Sequence, residues 1–259
     1  MAAMGLLGAL PRPRAPRPSV RLACVPYAGG GASAFRAWSE LLPDEVEVVP
    51  VQLPGRENRL REPPFEILSE LVAALAAALE ADYDGTPIAF FGHSMGALVS
   101  YEVARLLRRR GKLQPICLFV SGHRAPHLSR SGREIHELPD ADLVAELSRY
   151  GGIPGQVLAQ PEFLRLLLPV LRADLRMSGT YTYADDAPLG CPISALAGVS
   201  DPLMTAAEVQ AWRRHTSADF RLHMIPGDHF FLNTARAELV RTIWLDLAAQ
   251  LRAKRAAPC

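Results

Sequence analysis

The chain has 259 residues, 28 Lys and Arg against 27 Asp and Glu for a formal net charge of +1, and 49% hydrophobic residues. That length holds one sizeable α/β domain with an insertion, or on length alone two small domains, and the balanced charge excludes a general field for nucleic acid or an acidic membrane surface. The four cysteines, Cys24, Cys117, Cys191 and Cys259, make no CxxC pair, so neither a disulfide framework nor a metal set is expected, and no apolar run approaches the roughly 20 residues that span a bilayer.

Residues 1–20, MAAMGLLGALPRPRAPRPSV, lack a basic segment ahead of their short apolar stretch and run at once into prolines. That is a poor secretory signal; the segment reads as a flexible tail and the protein as cytoplasmic. RLACV (21–25) reads as a buried strand, followed by Gly-rich PYAGGGAS and a helix from about Ala32 to Leu42. VEVVPV (46–51) is the next strand, ending in the polar loop LPGRENRLREPP. ILSELVAALAAALEADY (67–83) predicts a helix by composition and periodicity. IAFFGHS and MGALVSYEVARLLRRRG predict strand, sharp turn and helix, with Gly111 as the stop. ICLFVSG (116–122) is another strand. Later come ISALAG (193–198), a helix near 205–214, the strand FRLHMIP (220–226) and a last helix over about 233–252. Cys24 and Cys117 sit inside apolar runs and read as buried thiols.

Strands alternating with helices point to a mostly parallel sheet covered on both faces. The interval from about 125 to 188 breaks that rhythm with helices alone, DADLVAELSRYGG and PEFLRLLLPVLRADLRMSGTY. It is a lid or substrate-binding insertion, or else a helical decoration on the sheet edge. The organisation expected is a tail over 1–20, one domain over 21–252 with the insertion at about 125–188, and a C-terminal tail over 253–259.

GHSMG (92–96) fits G-x-S-x-G, a weak pattern by itself. Here it leaves an apolar strand and opens a long helix, the setting a nucleophile elbow requires, and this makes Ser94 the candidate nucleophile of an α/β-hydrolase fold. A Ser hydroxyl needs a base, which this fold carries after its last strand, with an acid before it in the order Ser, Asp, His. FRLHMIP is followed by GDHFFL, which gives His229 as the base. Asp201, in the loop GVSDP after ISALAG, is the acid. Asp228 adjoins His229 too closely to face it, Asp185 and Asp186 precede the strand, and SGHRAP (121–126) offers no carboxylate. His93 reads as structural, His123, His127, His136 and His215 as surface or loop residues, and His223 as a packed or edge histidine. Acyl transfer also needs donors for the developing oxyanion. The amide of Met95 follows the nucleophile, and the loop PYAGGGAS supplies the second, Ala28.

Six blocks in order, PYAGGGAS, QLPGRENR, FFGHSMGALVSYEVAR, LSRYGGIP, GVSDP and GDHFFL, resemble the type II thioesterases of polyketide and nonribosomal peptide synthetases. The likeness runs from about Arg21 to Leu251. It implies hydrolysis of acyl groups from the phosphopantetheine arm of an acyl or peptidyl carrier protein, clearing stalled units, with no cofactor of the enzyme's own. It also implies Ser94 as nucleophile, His229 as general base and acid, Asp201 as orienting carboxylate and Met95 and Ala28 as the oxyanion hole. No nucleic-acid or membrane partner is expected, and a monomer is the default. Nothing in the triad separates thioesters from oxygen esters, so a carboxylesterase, an acyltransferase and a silent carrier-binding module stay open beside it. Arg56, Arg59 and Arg61 are either contacts for an acidic carrier or a solvated loop.

Overall fold

The computed structural model describes residues 5–7, 18–128, 134–153 and 155–256. Six strands form one sheet: β1 (Val20–Val25), β2 (Val46–Pro50), β3 (Ile88–His93), β4 (Leu118–Ser121), β5 (Ile193–Gly198) and β6 (Phe220–Ile225). Their spatial order is β2-β1-β3-β4-β5-β6, and every neighbouring pair is parallel. The helices are α1 (Trp38–Leu41), α2 (Leu68–Ala81), α3 (Met95–Arg110), α4 (Asp140–Ser148), α5 (Gly155–Leu158), α6 (Pro161–Gly179), α7 (Ala206–Gln210), α8 (Phe231–Thr234) and α9 (Arg236–Ala256). Among the described residues no helix is long and apolar enough to cross a membrane.

A parallel sheet must be covered on both faces, which is why β3 and β5 are buried along their whole length. Side chains alternate across the sheet. Ala23, Val25 and Phe90 pack with Leu75 of α2 and Val103 of α3 on one face, whereas Leu22, Cys24 and Phe91 pack with Trp38 of α1 and Ile243 of α9 on the other. Cys24 and Cys117 are buried as expected; Cys259 lies outside the described residues. α3 ends where Gly111 takes a left-handed φ of 66° and its amide returns to Leu107 and Arg108.

The interval between β4 and β5 carries helices α4, α5 and α6 and, among its described residues, no strand. These helices enclose an apolar cluster of their own that includes Leu143, Leu147, Leu168 and Leu171. Residues 129–133 and 154 of the interval lie outside the described residues.

Elsewhere the boundaries shift for identifiable reasons. The helix expected over 32–42 splits into a single 3-10 turn at Ala32–Phe35 and α1, because Phe35 and Trp38 both turn inward against Phe91. The last helix divides at Ala235 into α8 and α9, and α9 reaches Ala256, inside the stretch expected as a tail. At the other end Leu6 is fully buried in the sheet's core, Leu7 bridges Val51, and the Gln52 amide donates to the Leu6 carbonyl at 2.8 Å. The expectation of a tail therefore does not extend to these residues; 1–4, 8–17 and 257–259 lie outside the described ones.

The strand order fixes where a ligand can sit. The chain leaves β1 towards β2 on one side and returns at β3 on the other, so a crevice opens beyond the carboxyl ends of β1 and β3. The loop after β1 and the turn after β3 both end there.

Candidate active site

Ser94 stands between β3 and α3 with φ 54° and ψ −121°, a conformation that L-residues rarely hold and that costs on the order of 1–3 kcal/mol. The turn is held by the Ser94 amide donating to the Ser121 carbonyl at 2.7 Å and by the Ala97 amide donating to the Ser94 carbonyl at 2.9 Å. It is so tight that a Cβ on Gly92 would lie 2.0 Å from the Gly96 carbonyl oxygen, and one on Gly96 would lie 2.2 Å from that of Val25. Only glycine fits either place, as the motif requires. Met95 is the first residue of α3, so its amide has no partner within the helix and lies at the positive end of the helix dipole.

β1 runs into a turn in which the Gly30 amide donates to the Tyr27 carbonyl at 2.9 Å. Its third residue, Gly29, has φ 77°, which a type II turn assigns to glycine. Ala28 is the second residue of that turn. At the other strands, the loops after β5 and β6 are stitched together: the Ser200 amide donates to the Gly227 carbonyl at 2.9 Å and the Val199 amide to the Ile225 carbonyl at 2.9 Å. This brings Asp201 to His229, whose Nδ1 is 2.8 Å from Oδ2 of Asp201. The side chains are 4% and 0% exposed. A carboxylate only accepts, so Nδ1 donates, and this selects the tautomer of the neutral ring in which Nε2 is the acceptor. The second oxygen, Oδ1, accepts from the Leu203 amide at 2.9 Å, which fixes the carboxylate.

Ala28, Ser94, Met95 and His229 all line one cavity of about 830 Å³. Its other walls come from Leu147 and Tyr150 of the α4 region, Leu171 and Leu175 of α6, and a polar group that includes His127, Tyr181 and Tyr183. The insertion thus helps to enclose the site. His93 is fully buried behind it, with its ring centroid 5.2 Å from that of His229 and Nδ1 2.9 Å from the Ser121 hydroxyl. Burial, with the neighbouring His229 adding, holds its pKa well below the usual range, so it stays neutral beside the second imidazole.

A family model described as a thioesterase domain matches residues 20–245. The chain belongs to the thioesterase family. The thioesterase PikA5 of Streptomyces venezuelae is 43% identical over 244 residues, 94% of this chain and 85% of that protein. LgrE of Brevibacillus parabrevis, which carries the name linear gramicidin dehydrogenase, is 46% identical over 228 residues, 87% and 86% of the two chains. Among solved structures, the RedJ thioesterase of the prodiginine pathway of Streptomyces coelicolor is 45% identical with a TM-score of 0.85, covering 92% of this chain and 93% of RedJ.

In this thioesterase the polar loop after β2 is not a solvated basic patch. Arg56 and Arg59 are buried, and of the three loop arginines only Arg61 is exposed. Arg56 grips Asp174 of α6 with two hydrogen bonds, of 2.6 and 2.9 Å. Arg59 donates to Glu62 at 2.7 and 2.5 Å and to the Gln52 carbonyl at 3.1 Å. The reading of Arg56 and Arg59 as carrier contacts is corrected by this burial. A signal was available: Val170, Asp174 and Met177 share one buried stripe of α6, and an acid in an apolar stripe demands a cation. His136 and His215 are also buried rather than on the surface. His215 accepts or donates between the Tyr101 hydroxyl at 2.8 Å and His127 at 2.7 Å. His223 does sit on the edge strand β6, 2.7 Å from Asp246 of α9.

Proposed function

We propose that this thioesterase is a type II enzyme of polyketide or nonribosomal peptide biosynthesis, hydrolysing acyl groups from the phosphopantetheine arm of carrier protein domains and so clearing stalled units. The observation that carries the reading is His229, held from behind by the buried Asp201, sharing a cavity with the strained Ser94. Ser94 is the nucleophile. Nε2 of His229 takes the Oγ proton as Oγ bonds the acyl carbon, and the amides of Ala28 and Met95 receive the developing oxyanion. The C–S bond breaks and the thiolate takes the proton from the imidazolium. A thiol with a pKa of about 8.5 needs little help to leave. His229 then takes a proton from water as the water oxygen bonds the acyl carbon. The C–Oγ bond breaks, Ser94 recovers its proton and the free acid departs. Asp201 keeps the imidazole in the required tautomer throughout. The mechanism uses no metal or cofactor of the enzyme's own.

The dehydrogenase name of one relative does not carry over to this site. A dinucleotide's pyrophosphate sits on a helix N-terminus after the first strand, whereas here the Gly-rich loop enters only the four-residue 3-10 turn Ala32–Phe35.

Free-thiol release from propionyl-pantetheine, compared with a matched oxygen ester and with Ser94→Ala, tests the proposal. Thioester turnover above oxygen-ester turnover, abolished in the variant, is expected. Preference for the oxygen ester, or turnover that survives Ser94→Ala, overturns it.

A further inference from the structure

The loop Gly29–Ser33, which follows Ala28, is held by side chains along its length. The Gly29 amide donates to Oδ2 of Asp174 at 2.8 Å, and the Gly30 carbonyl accepts from Arg56 at 3.2 Å. The Ala32 amide donates to Oε1 of Gln52 at 3.0 Å, and the Ser33 amide and hydroxyl donate to Oε1 of Glu57 at 3.2 and 2.6 Å. Gln52, Arg56 and Glu57 all belong to the QLPGRENR stretch that the catalytic reading leaves unused. Gln52 in turn donates to the carbonyls of Leu53 and Arg56, and Arg56 donates through Nε to the Pro54 carbonyl.

Arg56 and Asp174 are the centre of this arrangement. Their side chains are 6% and 0% exposed, and the pair is bidentate. Burying two charges costs much of what their attraction returns, and a well-packed apolar pair stabilises a fold as well or better. What the ionic pair adds is fixed geometry: a planar fork and a carboxylate whose Oδ2 also accepts from the loop. Through them α6, which also walls the cavity, grips the two residues next to Ala28.

We infer that Arg56 and Asp174 are positioning residues that hold the Ala28 amide at the oxyanion site by clamping Gly29 and Gly30. The inference rests on the hydrolase reading above. Neither residue touches the reacting atoms; both act through the backbone. A displacement of about 1 Å at such a donor costs on the order of 100-fold in rate, and complete loss of a donor about 100- to 1000-fold.

The test is a set of full-length variants, Arg56→Lys, Asp174→Asn and the double swap Arg56→Met with Asp174→Leu. The double swap leaves no unpaired buried charge, so it supplies a folded protein if the single variants fail to fold. The readouts are the thermal midpoint, kcat and KM on propionyl-pantetheine, affinity for a short alkylboronic acid whose tetrahedral adduct on Ser94 carries the oxyanion, and amide hydrogen exchange across 27–33. The double swap is expected to keep its thermal midpoint, lose about 10- to 100-fold in kcat and a similar factor in boronate affinity, change KM by less than about 3-fold, and exchange faster over 27–33. Arg56→Lys, which keeps the charge and loses the fork, should lie between it and the wild type. Wild-type kcat and boronate affinity in the double swap, or unchanged exchange over 27–33, overturns the inference alone. Turnover that survives Ser94→Ala in the enzyme with Arg56 and Asp174 intact strikes the hydrolase reading, and the catalytic role inferred here goes with it.

Discussion

The carboxylate of Asp201 meets Nδ1 of His229 at 2.8 Å, with both side chains withdrawn from water. Because the carboxylate also takes the Leu203 amide, it cannot rotate away without leaving that donor unmatched. Asn in its place presents either an amide nitrogen or a carbonyl oxygen to the imidazole, and the former makes Nδ1 an acceptor, which puts the ring proton on Nε2 and removes its capacity to act as a base. Asp201→Asn is therefore expected to lower kcat by about 1000- to 10,000-fold with a small change in KM. Steady-state kinetics on a short acyl-pantetheine check it; a loss under tenfold would mean that His229 does not depend on this partner.

Ser94 is expected to weaken the fold it serves. With φ at 54° and a Cβ, it holds a conformation that glycine adopts freely. Ser94→Gly should be inactive yet more stable than Ser94→Ala by about 1 kcal/mol, or roughly 2–4 °C in thermal midpoint for a domain of this size. That ordering reverses the usual preference for Ala over Gly, so finding Ala the more stable of the two would show an unstrained elbow.

His215 sets part of the acid sensitivity. Burial, then the neighbouring His127, pushes its pKa down from 6.5 to about 4. The folded protein leaves it neutral down to that pH, while the unfolded chain takes up a proton near 6.5. Its contribution to stability is therefore complete above about pH 6.5, declines as the pH falls, and is gone by about pH 4, a loss of up to about 3 kcal/mol. His215→Asn is expected to flatten the dependence of the urea midpoint on pH between 7 and 4.5. Parallel curves for the two proteins would assign the acid loss to other groups.

The elbow was legible in the sequence because everything it needs lies within a few residues: an apolar strand, glycines at 92 and 96, and a helix starting at Met95. The pairing of His229 with Asp201 was legible because each follows a strand whose apolar run announces it. The alternating strands and helices, and the helical interval that helps to enclose the cavity, came from the same kind of local period. The thin places were the junctions. The helix expected over 32–42 breaks because Phe35 and Trp38 answer to Phe91, a residue on another strand.

What the sequence by itself determined, then, was the class of fold, the order of its elements and the residue types at the turn between β3 and α3, since hydrophobic period and turn chemistry act over short stretches of chain. The tertiary structure alone decided that Arg56 is buried rather than solvated, because its partner Asp174 is 118 residues away on α6. It likewise decided that His215 lies buried between Tyr101 and His127, and that Leu6 joins the core. A charged or polar side chain looks the same in one dimension whether it faces water or a partner. Only the packing of distant elements supplies the partner, and with it the reason to bury the charge.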